Sequence, residues 1–336
     1  MRSGIWYIIG MKIIVTGGAG FLGSHLCGKL LEQGHDVICI DNLLTGSEKN
    51  IEEFKSNPNF KFINGDVSEM NSDLPAGKAG ILRFTQDDQI GQIYHMASPA
   101  SPNMNSPKSY HALAFETMKV NTEGTWNMCE LAIKHDARLL FASTSETYGE
   151  PLEHPQKETY RGNVSTTGPR AVYDESKRFG ETIVSAYVRS KGLDGRIIRI
   201  FNTYGPKMAL DDGRVVIEFV QAALANKPFQ VFGDGKQTRT FCYVDDLVEG
   251  IISTMEKGTK GEVYNLGNPN EFTILELAEK VKSLTGATSE TEHQSLPQDD
   301  PLQRCPDITK AKTELGWEPK VELDEGLKRL IAYLKS

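Results

Sequence analysis

Tyr173 and Lys177 stand four residues apart in Tyr-Asp-Glu-Ser-Lys. On a helix that spacing puts both side chains on one face. An ammonium beside a phenol favours the phenolate and lowers its pKa toward neutrality. A phenolate of that kind takes a proton from a substrate hydroxyl while hydride leaves the same carbon. A tyrosine and a lysine at this spacing are commonly no more than a surface pair. Here they follow the stretch Ser143-Thr-Ser-Glu-Thr-Tyr-Gly149, which comes directly after the apolar run 138–142. That order places Thr144, Ser145 and Glu146 at the carboxyl end of a strand, where two hydroxyls and a carboxylate can meet a reacting group.

A second constellation lies near the start, Lys12-Ile-Ile-Val-Thr-Gly-Gly-Ala-Gly-Phe-Leu-Gly23. Gly17, Gly20 and Gly23 are spaced three apart between an apolar strand and a helix. Glycine permits the tight turn and leaves no Cβ between the backbone and a pyrophosphate. The helix opening at Phe21 and Leu22 points unpaired N–H groups at that phosphate. Leu22, Leu26 and Leu30 recur at helical spacing, Gln33-Gly34 stops the helix, and Val37–Ile40 is a second apolar strand ending in Asp41. A carboxylate there takes both hydroxyls of an adenosine ribose and repels a 2′-phosphate, so NAD is expected rather than NADP. Asp66, after the strand 60–63, stands where an acid takes the adenine amino group or simply caps the next turn.

These groups need a scaffold, and the chain supplies a regular one. Apolar runs at 12–16, 37–40, 60–63, 93–97 and 138–142 alternate with helical stretches. That is the signature of an α/β fold with a Rossmann-type, doubly wound parallel sheet. Residues 11–190 are expected to form the NAD-binding domain, with 196–200 added to its sheet. Residues 201–336 are expected to form mainly a smaller C-terminal substrate-binding region with interleaved boundaries. Residues 71–92 have little periodicity and read as an inserted surface loop that packs nothing. Prolines bar a helix from 98–107, which then projects from a strand end. A long helix is expected over Tyr110–Lys134 and another over Tyr173–Arg189.

Hydrophobic content is 39%, charged content 24% and net charge −8. These values suit a soluble globular protein and argue against a nucleic-acid partner or an anionic membrane surface. Cys27, Cys39, Cys129, Cys242 and Cys305 are odd in number and form no CxxC pair. That pattern predicts neither disulfides nor zinc, and a cytoplasmic protein. His111 and His135 have no partners at ligand spacing, so no metal is expected. The apolar run Ile5–Ile9 meets Lys12 too soon to span a bilayer, and Met11 is an alternative start.

The glycine loop, TSETYG, YDESK and FNTYGP resemble the extended short-chain dehydrogenase/reductases that act on nucleotide sugars. The stretches GNVSTTGPRAVYDESKR, FNTYGPKMALDDGRVV, GDGKQTRTFCYVDDLVEG, NLGNPNEFTILELA, LPQDDP and LGWEPK are similar to those of the UDP-glucuronate decarboxylases within that group. The resemblance runs from about residue 11 to the end. It implies a redox-neutral cycle on tightly held NAD and a UDP-sugar substrate. Tyr173, assisted by Lys177, would deprotonate the sugar 4-hydroxyl as C4 is oxidised. Carbon dioxide then leaves from the β-keto acid, and C4 is reduced again. Thr144 and Ser145 would hydrogen-bond the oxygen that gains charge, and Glu146 would orient the sugar or relay a proton to C5. Asn42, Thr45, Gly46, Asp66, Val67 and Ala97 would join Gly17, Gly20, Phe21, Leu22, Gly23 and Asp41 along NAD, with Lys177 on the nicotinamide ribose. Asn202, Arg239 and Tyr243 correspond to substrate-site positions, and Arg304 to a diphosphate contact. Relatives pair through two long helices, implying a homodimer.

The chain departs from that pattern at 71–92, in the segment after Pro102, and at Ser98 and Cys305, the last standing where an arginine is common. Two other outcomes of the same chemistry are a 4,6-dehydratase and a 4-epimerase. Dehydratases of this group usually carry Asp-Glu where this chain has Ser145-Glu146, and epimerases usually lack the glutamate. A non-catalytic NAD-binding protein would typically have lost Tyr173 or Lys177.

Overall fold

Parallel strands that are covered on both faces must be apolar on both faces, and the strands of this chain are. The computed structural model describes residues 10–69, 84, 88–295 and 303–336. Strands β1 (Lys12–Thr16), β2 (Asp36–Asp41), β3 (Phe60–Asn64), β4 (Ile90–His95), β5 (Arg138–Thr144) and β6 (Gly195–Ile200) form one sheet with a seventh strand, Val263–Leu266. The spatial order is Val263–Leu266, β6, β5, β4, β1, β2, β3, and every neighbouring pair is parallel. The order reverses between β1 and β4, which opens a crevice at the carboxyl ends of the strands. Register puts Thr16 opposite both Ile40 and His95, and Thr144 opposite Ile200. The site-bearing strand ends therefore lie along a common edge.

Successive side chains of a strand point to opposite faces, and β1 shows it. Ile13 and Val15 enter the core shared with Leu26, Leu247 and Ile251, whereas Ile14 enters the core shared with Met128, Ile183 and Ile197. The first face is covered by α1 (Phe21–Glu32) and by the later helix Val244–Lys257, the second by α3 (Thr125–His135) and α4 (Ala171–Lys191), with α2 (Ala114–Lys119) packed on α4. Helices α5 (Val215–Leu224), α6 (Val244–Lys257), α7 (Ile274–Thr285) and α8 (Leu323–Lys335) complete the chain. Short strand pairs join the later segments: Phe229–Phe232 with Thr291–Gln294, and Thr238–Thr240 with both Glu271–Thr273 and Gln303–Arg304.

Three expectations change. The strand read at 93–97 starts at Ile90 and ends at His95, because Ile90 and Ile93 are buried in the same core. Of the loop read at 71–92, residues 71–83 and 85–87 lie outside the described residues. Phe84 is buried in the core and its carbonyl accepts Lys134 Nζ at 2.5 Å, and Asp88 pairs with Lys12 at 3.7 Å. The end of that segment therefore packs. The helix read over Tyr110–Lys134 begins at Ala114 and runs to His135, with one π turn at Val120–Gly124 between α2 and α3.

Candidate active site

The crevice is a cavity of about 1820 Å³ running from the glycine loop to the ends of β5 and β6. At its nucleotide end, Gly17 has φ +68°, and a Cβ there would sit 2.7 Å from Ala97 Cα. A Cβ on Gly23 would sit 2.1 Å from the Gly17 carbonyl oxygen. Only glycine allows this close passage of strand, turn and helix. Helix α1 opens at Phe21 with no side chain capping it, so its first N–H groups face the cavity as an anion site.

Asp41 ends β2 and is buried. Its Oδ2 accepts the Ala19 N–H at 3.0 Å and its Oδ1 the Leu43 N–H at 2.8 Å. Burial raises its pKa, and these two backbone bonds oppose the rise. Each oxygen keeps a lone pair for a ribose hydroxyl. Asn42, Thr45, Asp66, Val67 and Ala97 line the same end. Gly46 instead backs Asp41, where a Cβ would meet both carboxylate oxygens within 2.9 Å. Asp66 does what a capping aspartate does: Oδ1 accepts the Ser68 N–H at 2.8 Å, and Oδ2 accepts Asn42 Nδ2 at 2.9 Å. These features fit a dinucleotide with a free ribose diol.

At the other end, α4 packs on β5 and brings Tyr173 and Lys177 to the cavity from successive turns. Tyr173 hydrogen-bonds Thr144, and burial pushes its pKa up to about 12, with Glu146 and Asp174 adding to the rise and Arg214 opposing it. The fall expected from Lys177 is absent. Lys177 Nζ donates to the Ala142 carbonyl at 2.8 Å and lies 6.0 Å from the centre of the Tyr173 ring. Burial also draws the Lys177 pKa down to about 7. Burial disfavours the ammonium, and Lys177 is engaged with a carbonyl, so it does little to offset the burial of the phenol.

Glu146 lies between arginines. Arg170 Nη2 meets its Oε2 at 2.5 Å and Arg304 Nη1 lies 3.3 Å from its Oε1. Burial alone would raise the Glu146 pKa, but Arg170, Arg304 and Arg239 outweigh it and hold the group at about 2. Arg304 also donates to Ser145 Oγ at 3.1 Å and to the Gly149 carbonyl at 2.9 Å. It is thus engaged at the Ser145–Glu146 end of the cavity. Its Nε is buried with no hydrogen-bond partner.

Asn202 and Arg239 line the cavity. Tyr243 does not reach it. Its ring packs edge-on against Tyr204 and under the Arg329 guanidinium, because its strand, Cys242–Tyr243, leads into α6 and turns the ring toward α8.

Several residues in or beside the cavity were not singled out in the sequence. Tyr110 stacks on Tyr173 with ring centres 4.9 Å apart, and its hydroxyl is buried without a partner. Arg170 stands one helical turn before Asp174, inside a stretch already notable for its motif. Arg214 is held by both oxygens of Asp212, at 2.8 and 2.7 Å, and its charge favours the Tyr173 phenolate. Asp174 is buried beside Glu146. Burial first, then Glu146, raises its pKa to about 8, against the pull of Arg170 and Arg304. Spacing could have pointed to Arg170; no local signal marks Tyr110.

The family model described as NAD dependent epimerase/dehydratase family matches residues 13–267. The chain belongs to the NAD dependent epimerase/dehydratase family. Among curated relatives of this epimerase/dehydratase, UDP-glucuronic acid decarboxylase 1 of Arabidopsis thaliana is 50% identical over 97% of this chain and 70% of its own length. UDP-glucuronic acid decarboxylase 1 of Xenopus tropicalis is 47% identical over 96% of this chain and 72% of its own length. Among solved structures, UDP-glucuronic acid 4-epimerase from Bacillus cereus, in complex with UDP-glucuronic acid and NAD, superposes with a TM-score of 0.81 at 29% identity. That match covers 97% of this epimerase/dehydratase and 99% of the other chain.

Proposed function

We propose that this protein is a UDP-glucuronate decarboxylase that converts UDP-glucuronate to UDP-xylose and carbon dioxide through a 4-keto intermediate. The observation that carries the reading is the Ser145–Glu146–Arg304 cluster at the reacting end of the cavity beside Tyr173, in a chain about half identical to named decarboxylases. NAD, when bound, supplies a reversible hydride acceptor for sugar C4 and a pyridinium charge. Gly17, Gly20, Phe21, Leu22 and Gly23 hold its pyrophosphate, and Asp41 its adenosine ribose. Lys177 holds the nicotinamide ribose.

Tyr173 takes the proton of the 4-hydroxyl, its phenolate favoured by Arg214 and Thr144 and, when NAD is bound, by the pyridinium charge. Thr144 relays or steadies that proton, being already hydrogen-bonded to the phenol. With C4 a ketone, the C6 carboxylate is β to it, so the C5–C6 electrons pass into the ketone as carbon dioxide leaves. Ser145 and Thr144 donate to the oxygen on which that charge develops. Glu146, kept ionised by its arginines, orients the sugar as a hydrogen-bond acceptor, and the proton added at C5 comes from water. Arg304 and Arg239 bind the substrate's anionic groups by charge-assisted hydrogen bonds.

The protein works as a homodimer in the cytoplasm. No described helix is long and apolar enough to cross a membrane. Phe115 and Met118 on α2, Trp126 on α3 and Phe179 on α4 are 75%, 37%, 53% and 52% exposed, on helices that pack side by side. A second copy covering them would pair α2, α3 and α4 with their counterparts.

The test is incubation of the purified protein with UDP-glucuronate, with carbon dioxide measured and the sugar nucleotide identified. Decarboxylation to UDP-xylose is expected. A C4 epimer of UDP-glucuronate with no carbon dioxide would make the protein an epimerase instead.

A further inference from the structure

Three side chains outside the reaction chemistry meet directly behind Arg304. His154 lies in the segment after the cavity stretch 143–149, Glu271 opens the strand Glu271–Thr273, and Cys305 follows Arg304 in the chain. His154 Nε2 is 2.8 Å from Glu271 Oε2. With Cys305 Sγ they form a group whose donor atoms all lie within 4.8 Å of one another. The thiol is buried, while the imidazole and the carboxylate are each 29% exposed. A cation can therefore arrive from solvent and meet the sulfur beneath.

We propose that His154, Glu271 and Cys305 form a binding site for a thiophilic divalent cation of the zinc class, with the fourth position open to water. Tetrahedral zinc with bonds of about 2.0–2.3 Å sets its donors about 3.3–3.8 Å apart. His154 and Glu271 need to open by about an ångström or less to reach that spacing. One nitrogen, one oxygen and one sulfur suit zinc, and the imidazole and thiolate disfavour magnesium and calcium.

The surroundings already orient two of the three ligands. Glu271 Oε1 accepts the Thr238 hydroxyl at 2.7 Å, which leaves Oε2 toward His154. Cys305 is held through its backbone by Gln156: its N–H donates to Gln156 Oε1 at 2.9 Å, and its carbonyl accepts the Gln156 N–H at 2.8 Å. Outer contacts of this kind fix ligand geometry in metal sites. Burial pushes the Cys305 thiol up to about 12, with Glu271 and Asp307 adding to the rise. A bound dication supplies the opposite charge that a thiolate needs there.

The site also has a mechanical consequence. Glu271–Thr273 and Gln303–Arg304 both pair with Thr238–Thr240. The two outer strands carry Glu271 and Arg304, and the central strand carries Arg239. A cation at His154, Glu271 and Cys305 staples the loop at 154 to both outer strands, and so restrains the backbone that presents Arg304 and Arg239 to the cavity.

The probe is cobalt(II), titrated into the purified full chain under a phosphine reductant. Saturation at about one cobalt per chain is expected, with a thiolate-to-cobalt charge-transfer band in the near ultraviolet that zinc abolishes and magnesium does not. Cys305→Ser should lose that band, and the surface variants His154→Ala and Glu271→Gln should each bind at least tenfold more weakly. Zinc should raise the thermal midpoint of the parent and leave that of Cys305→Ser unmoved. The proposal is overturned if the parent shows no saturable charge-transfer band, if the band persists in Cys305→Ser, or if zinc shifts both midpoints equally. If Cys305→Ser does not fold, unweakened cobalt binding by His154→Ala and Glu271→Gln overturns it. None of these readouts uses turnover, so they stand apart from the decarboxylase assignment.

Discussion

Arg304 donates to Ser145 Oγ at 3.1 Å across 159 positions of sequence. The same guanidinium nitrogen lies 3.3 Å from Glu146 Oε1. A hydroxyl meant for a developing oxyanion and a carboxylate meant for the sugar are thus set by one cation from the last strand pair. Removing a preorganised donor to developing charge typically costs about 3 kcal/mol, roughly a hundredfold in rate. Ser145→Ala and Glu146→Gln should slow loss of carbon dioxide by about that factor and leave the first oxidation fast. Reduced cofactor should then accumulate within a single turnover, visible as NADH absorbance, with carbon dioxide followed in parallel. Arg304→Lys, which retains charge without the planar fork, should show the same accumulation.

Tyr173→Phe removes the base itself. No NADH absorbance should appear with UDP-glucuronate, and carbon dioxide release should fall by at least about a hundredfold. Release at the parental rate from this variant would exclude the Tyr173 mechanism.

Asp41 should set the preference for NAD. Loss of hydrogen bonds to a charged group costs about 1.5–3 kcal/mol, so Asp41→Ala should bind NAD roughly ten- to a hundredfold more weakly in a direct titration. The parent should bind NADP far more weakly than NAD. Equal parental affinities would remove the ribose role of Asp41.

Asp174 ties stability to pH. Its pKa is about 8 in the fold, because of burial and the neighbouring Glu146, against an ordinary value of 3.8. Between those values the folded protein holds a proton that the unfolded chain has released. Stability contributed by the neutral form is therefore complete at low pH and declines as pH rises toward 8. Asp174→Asn cannot lose that proton. Its stability relative to the parent should rise from pH 5 to pH 8 in chemical denaturation. A constant difference across that range would contradict the assignment.

The sequence alone determined the sheet-forming strands and the nucleotide end of the cavity. Those features are local: an apolar run, a glycine turn with no room for Cβ, an acid at a strand end, and two side chains one helical turn apart. Even so, Val263–Leu266 joins the sheet edge from within the region assigned mainly to substrate, because a parallel strand's partner is chosen by the crossover and not by neighbours in the chain.

What only the tertiary structure decided is the electrostatics and the long-range company of each group. The Tyr173–Lys177 spacing puts both residues at the cavity, but burial raises the phenol and Lys177 is not among the charges that lower it. Burial and the Ala142 carbonyl act on both residues, and neither is visible in a four-residue motif. Phe84, inside a stretch that reads as loop, packs into the core. Tyr243 turns away from the cavity toward α8, whereas Tyr110 comes to stack on Tyr173. The meeting of His154, Glu271 and Cys305 has no sequence signature at all, since the strand pairing around Thr238–Thr240 brings them together. Spacing specifies which side chains share a turn or a face. Which distant charges surround them, and how little water remains, is set when the sheet and its later segments close over one another.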